Sequence, residues 1–117
     1  MSSSRNELKR RIFDAQGWRC WVSDCPRPAV HLHEALVTKG DVQGWSPELR
    51  QAIFHEYNCI GLCQFHHNTE HEPKASAVFE RKCEEHGLAS VVEWLESLPF
   101  VKRPGRVQEI LNEVSND

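Results

Sequence analysis

Residues 57–72 read YNCIGLCQFHHNTEHE, and the fold turns on how this stretch is taken. Its first part, residues 57–63, is a short apolar run that predicts a strand. From His66 or His67 onward the pattern predicts a helix or a turn. Between the two lies Cys63-x2-His66, a pair at the spacing of a metal-binding knuckle. Working toward the N-terminus, Cys20-x4-Cys25 is a second such pair, within a turn-rich segment over 18–30 that also holds Pro26 and Pro28. Two short-spaced pairs far apart in sequence are how a chain builds a tetrahedral structural zinc site, and thiolate and imidazole ligands suit Zn²⁺. Four protein ligands close such a site, so Cys20, Cys25, Cys63 and His66 are assigned to holding structure. Cys59 and Cys83 are left over and read as core or half-buried residues. Cys59 would replace Cys63 only at a poorer spacing.

Residues 29–37, AVHLHEALV, predict the strand that precedes the stretch. His31 and His33 are two apart and share one face of a strand, while Glu34 points the other way unless the strand ends there. His67 and His71 are four apart and on a helix would share a face, a good pair for a divalent ion. His55 and His86 have no partner at a telling spacing and read as surface residues. Several zinc chemistries are excluded. A metalloprotease needs His-Glu-x-x-His, and a zinc deaminase needs His-x-Glu with Pro-Cys-x-x-Cys. A two-Cys, two-His DNA-reading finger needs about 12 residues between its pairs, whereas 41 separate Cys25 from His67.

Helices are predicted on both flanks: 5–16, with Ser4 as cap and Glu7 completing a capping box, ended by Gly17; 47–56, capped by Ser46 with Pro47 first; 74–86, ended by Gly87; 89–98; and 106–114 after a break at Pro99, Pro104 and Gly105. Lys39, Gly40, Asp41 and Gly44 make a loop. No internal repeat or low-complexity segment appears. The chain has 117 residues, and its composition is that of one soluble globular domain. No apolar run reaches 18 residues, and the N-terminus is polar and basic without the apolar stretch of an export signal, so a cytoplasmic location without membrane contact is expected. Five cysteines, an odd number, and seven histidines in a reducing compartment favour metal binding over disulfides. The net charge is −3, yet residues 1–19 carry +3 and residues 20–72 carry −4, so any nucleic-acid contact must come from local charge.

The string Asn58-x4-Cys63-x2-His66-His67-x3-His71 resembles the second half of the HNH endonuclease motif, in which an Asn lies ahead of a zinc knuckle followed by His. The upstream order also resembles it: a Cys pair, a strand ending in His33-Glu34, then a Gly-containing loop. The resemblance covers about residues 18–72. It departs from the family in two places. His66 stands where a Cys is usual, which gives a Cys3His site and is chemically harmless. At the strand end the family carries a metal ligand followed by a His base, and here the pair is His33-Glu34. One alignment makes His33 the ligand and Glu34 the base. The other makes His33 the base, leaves Leu32 in the ligand position, and has His31 compensate from the same strand face.

What the resemblance implies is an α+β fold, a zinc-stabilised ββα-metal core wrapped in N- and C-terminal helices over 5–16 and 74–114. It implies divalent-metal-dependent hydrolysis of double-stranded DNA with low sequence specificity. His67 with His33 or His71 would hold a catalytic Mg²⁺, Mn²⁺ or other divalent ion. Asn58 would orient the loop, and His33 or Glu34 would take the proton from water. Phosphate contacts would fall to Arg5, Lys9, Arg10, Arg11 and Arg19, with Lys102, Arg103 and Arg106 as a second patch. The four tryptophans (Trp18, Trp21, Trp45 and Trp94) read as core or knuckle packing. Small phage-encoded proteins of this family carry such helical extensions, which points to a bacterial host cell. An inactive zinc-knuckle module binding DNA or a protein stands as the alternative. The apolar face of 106–114 suits either core closure or a homodimer contact.

Overall fold

The computed structural model describes residues 3–68, 70–100 and 102–115. Its elements in chain order are α1 (Ser3–Ala15), β1 (His31–Glu34), a 3₁₀ turn (Lys39–Val42), α2 (Pro47–Arg50) running into a second 3₁₀ turn (Gln51–Ile53), β2 (Cys59–Leu62), α3 (Ala75–His86), α4 (Leu88–Ser97) and α5 (Gly105–Ser115). The expected α+β class is therefore present: one two-stranded antiparallel sheet among helices. No helix among the described residues is long and apolar enough to cross a membrane.

The register pairs His31 with Leu62, Leu32 with Gly61, His33 with Ile60, and Glu34 with Cys59. Residues directly opposite one another share a face. One face carries Leu32, Gly61 and Cys59, which meet Leu8, Ile12, Phe13 and Ala29 in a small core under α1. The other carries Ile60 and Leu62 into the main core, with Leu36, Val37, Val78, Leu95 and Val107.

Both strands are shorter than predicted, and one buried side chain accounts for where β1 stops. The amide of Asn58 is fully buried and makes four hydrogen bonds. Its Oδ1 accepts from the N–H of Leu36 (2.9 Å) and of Val37 (2.8 Å), and its Nδ2 donates to the carbonyls of Val37 (2.8 Å) and Ile53 (2.9 Å). The backbone groups of 36–37 that would extend β1 are thus spent on a side chain. The same amide claims the Ile53 carbonyl, where the helix predicted over 47–56 stops.

The end of α1 is a Schellman motif. Gly17 and Trp18 both take positive φ (67° and 61°), the Trp18 N–H donates to the Phe13 carbonyl (2.8 Å), and the Gly17 N–H to that of Asp14 (3.0 Å). The Trp18 ring meets Phe13 edge-on at 5.4 Å and its Nε1 donates to Asp14. Trp18 is nevertheless 52% exposed, so it caps the helix and is not core, unlike the half-buried Trp21, Trp45 and Trp94. At the other end, α1 starts at Ser3, which places Ser4 inside the helix and not at its cap. Arg106 is also not free for phosphate: it pairs with Asp41, which Thr38 holds from the other side through its backbone N–H (2.8 Å), tying α5 to the loop after β1.

His55 and His86 are not isolated surface residues. His55 stacks on Trp94 (5.0 Å) and accepts the Tyr57 N–H at Nδ1 (3.1 Å), while His86 lies 4.8 Å from the Tyr57 ring. Burial pushes the His55 imidazole below the usual histidine value; Glu56 opposes the shift, and His86, Lys82 and Arg11 add to it. The unfolded chain therefore binds this proton more readily. The His55 contribution is intact above the unfolded value of 6.5 and is lost as the pH falls below it. Denaturant melts taken between about pH 7 and pH 5 should show a shallower loss of stability for His55→Gln than for the wild type.

Gly61 is set by contact. A Cβ there would lie 2.6 Å from Phe13 Cε1 and 3.1 Å from the Ala29 Cβ, and the Phe13 ring is buried to 1% exposure and cannot swing away. Gly61→Ala should therefore cost about 1–3 kcal/mol in urea denaturation, and adding Phe13→Leu should recover part of it.

Candidate zinc centre and adjoining histidine cluster

The two knuckles meet as the spacing predicts. Cys20, Cys25, Cys63 and His66 bring their ligand atoms within 4.8 Å of one another, the one such group of three or more among the described residues. Cys25 Sγ lies 3.9 Å from Cys63 Sγ, and His66 Nδ1 lies 3.5 Å from Cys20 Sγ and 3.3 Å from Cys63 Sγ. Zinc–sulfur and zinc–nitrogen bonds at tetrahedral angles put S···S near about 3.8 Å and S···N near about 3.6 Å. The cluster therefore fits a zinc ion in both donor type and spacing. Burial pushes the Cys63 thiol up. The His66 backbone N–H, then the side chains of His66, Cys20 and Cys25, outweigh it and bring the thiol down to about 6. Cys59 belongs to the core as read: burial, with the Glu34 charge beside it, pushes its thiol up to about 12.

Beside this centre the hairpin gathers three imidazoles. His31 stacks on His67 at 4.4 Å, and His33 meets the His67 ring edge-on at 5.5 Å. The shared strand face of His31 and His33 is thus present. His31 Nε2 donates to Gln64 Oε1 at 2.7 Å, and His33 Nε2 lies 3.8 Å from a Glu72 oxygen. Burial pushes His33 down, opposed by Glu72, and burial followed by the His31 charge pushes His67 down. Both rings are held toward the neutral form that can ligate a cation or accept a proton.

His71 does not join them. Residues 64–68 and 70–71 form turns and not a helix, so the four-residue spacing no longer aligns His67 with His71. The cause is local: Cys63 and His66 turn toward the sulfur cluster, and Asn68 Oδ1 takes the Glu70 N–H (3.0 Å). His71 instead stacks on Phe65 at 4.2 Å, with the Arg27 guanidinium 4.9 Å from the same ring. Glu34, expected beside His33, stands across from Cys59 on the opposite face of the sheet from His31 and His33. Its Oε1 is buried without a hydrogen-bond partner among the described residues. Asn58 touches none of the imidazoles by hydrogen bond; it holds the chain that leaves β1.

The donor set beside the zinc centre suits a second divalent cation in kind, since two imidazoles and the Glu72 carboxylate adjoin one another. Glu72 and Gln64 were not found from the sequence, because neither falls at a periodic position relative to the histidines. Of the basic residues named from the sequence, Arg10, Arg11 and Arg19 are exposed. Arg5 and Lys9 lie over the Phe54 and Phe13 rings at 5.4 and 5.5 Å.

No family model, no curated protein and no solved structure matches the chain, so the site is read from its own residues.

Purified protein should carry one tightly held zinc, measured by chromophoric chelator titration after denaturation. Cys63→Ser and Cys25→Ser should each leave it substoichiometric and lower the thermal midpoint by more than about 10 °C, whereas Cys83→Ser should leave the zinc content unchanged.

Proposed function

We propose that this chain is a metal-dependent endonuclease of the HNH type that hydrolyses phosphodiester bonds of double-stranded DNA. One observation carries the reading: the hairpin that leads into the zinc knuckle holds His33 and His67 in contact at its edge, with His31 stacked on His67. The order Asn58, Cys63, His66, His67 supports it from the sequence side, and so does the Asn58 amide that fixes the chain after β1. In this reading the fold is a ββα-metal core in which turns replace the first part of the helix.

His33 and His67 would hold the ion, with Glu72 within reach of His33, and His71 has no part in it. A divalent ion bound there supplies Lewis-acid stabilisation of the scissile phosphate and the leaving 3′ oxygen. The base is assigned to an imidazole and not to Glu34, which starts from the other face of the sheet while its charge still acts on His33 and His67. Gln64 Oε1 keeps a proton on His31 Nε2, which leaves the Nδ1 lone pair of His31 to take the proton of the attacking water. The exposed cations of α1, with Arg19, would meet the DNA backbone without reading its sequence.

The second reading is a zinc-knuckle module that binds DNA or a protein without cleaving. What favours it is that, among the described residues, the imidazoles and carboxylates beside the zinc centre do not close into a second tight cluster.

Cleavage of supercoiled plasmid with Mg²⁺, Mn²⁺, Ni²⁺ or Co²⁺ tests the proposal. His67→Ala should abolish nicking with zinc content unchanged, and His31→Gln should slow it by about 10²–10⁴-fold. Glu34→Gln and His71→Ala should stay within a few-fold of the wild type. A zinc-loaded wild type that nicks with none of these ions would move the assignment to the binding module.

A further inference from the structure

A cleft of about 790 Å³ lies between α1, the first knuckle, whose Cys20 and Cys25 are in its wall, and α3. Its wall contains Lys82, which is only 5% exposed. Among the described residues Lys82 has no hydrogen bond and no ion pair. Its stem is buried while its ammonium has no close counter-ion, and an anion in the cleft would supply one. Arg11, Arg19 and Arg81 line the same cleft. Arg81 also sits 5.6 Å from the ring of Trp21, another lining residue, whose Nε1 is buried without a partner among the described residues. The carboxylates in the wall are Asp24, Glu56 and Glu85, of which Glu85 already pairs with Arg81 at 3.8 Å. Lys82, Arg11, Arg19 and Arg81 thus face Asp24, Glu56 and Glu85 across the cleft, with Cys20 and Cys25 also in its wall.

We propose that this cleft binds a phosphate-bearing ligand, with Lys82 as its enclosed anchor and Arg11, Arg19 and Arg81 at its rim. Its size exceeds that of inorganic phosphate and falls in the range of sites that take a nucleotide-sized molecule. Two sources share this chemistry, a free phosphorylated small molecule and a phosphate of a nucleic-acid strand. Burial holds the Lys82 ammonium below the usual lysine range, partly offset by Glu85, Cys59 and Glu56, which is the direction expected of a cation awaiting its counter-ion. The proposal stands on the cleft's own residues and does not depend on the nuclease reading.

The test uses the full zinc-loaded chain without added divalent ion, so that nothing is cleaved and the two readings fail separately. Inorganic phosphate is titrated against chloride at constant ionic strength while the four tryptophan indole N–H resonances are followed by ¹⁵N-edited NMR, with Trp21→Phe giving the assignment. The Trp21 resonance should move saturably with phosphate and not with chloride, and the thermal midpoint should rise. Lys82→Met should weaken phosphate binding by about tenfold or more while raising the stability of the free protein. If Lys82→Met does not fold, Arg81→Gln, at a half-exposed position, should weaken binding several-fold. A single-stranded oligothymidylate binding tighter than phosphate assigns the ligand to a strand. Phosphate binding without that gain assigns it to a free phosphorylated molecule. Identical responses to phosphate and chloride, or a phosphate response undiminished in both variants, would overturn the proposal.

Discussion

One buried amide decides where the hairpin ends. Asn58 spends all four of its hydrogen-bonding positions on the backbone of Leu36, Val37 and Ile53, so three segments distant in sequence are fixed to the first turn of β2. Each of those backbone groups is buried, and leaving one unpaired costs about 1–3 kcal/mol. An apolar residue at position 58 would strand several at once. The exit of β1 is therefore held as firmly as the strands themselves, and the side chains just before that exit, His31 and His33, inherit the constraint.

A sheet of two four-residue strands is marginal alone. It persists here because both faces are covered, by α1 on one side and the main core on the other, and because the knuckles close on each other at its end. Closing a loop of some forty residues between Cys20 or Cys25 and the second pair is entropically expensive, and bonds to one ion at the cluster would offset that cost. His66 and His67 are adjacent, so the ligand that completes the sulfur cluster also sets the position of the ring that meets His31 and His33. The structural centre and the candidate reactive cluster share a backbone and cannot move independently.

This coupling explains what the sequence made legible. The knuckle pairs, the shared face of His31 and His33, the core role of Cys59 and the flanking helices all follow from short-range spacing, which survives folding. The predicted His67–His71 alignment depended on a helix that the turn at Asn68 prevents, so the spacing was sound and the secondary structure beneath it was not. Glu34 depended on strand register. With Cys59 opposite, period-two alternation sends it to the α1 side, and the pair His33-Glu34 divides across the sheet. Glu72 and Lys82 were invisible because their roles come from tertiary neighbours far apart in sequence.

The acidic net charge does not oppose contact with polyanions. At physiological ionic strength a charge is felt over about 8 Å, so an approaching phosphate responds to the nearest residues and not to the sum of 117. The carboxylates of residues 20–72 are partly consumed internally, Asp41 by Arg106 and Glu72 beside His33. Arg10, Arg11 and Arg19 remain exposed on the other side. Arg11 and Arg19 also border the cleft whose wall holds Lys82, so exposed cations run from α1 to the edge of the cleft. A zinc ion would further reduce the negative charge of the thiolates at Cys20, Cys25 and Cys63 that lie beside it. Contact with a phosphate would therefore be decided by which exposed side chains stand within that distance, and on α1 and the first knuckle these include Arg10, Arg11 and Arg19.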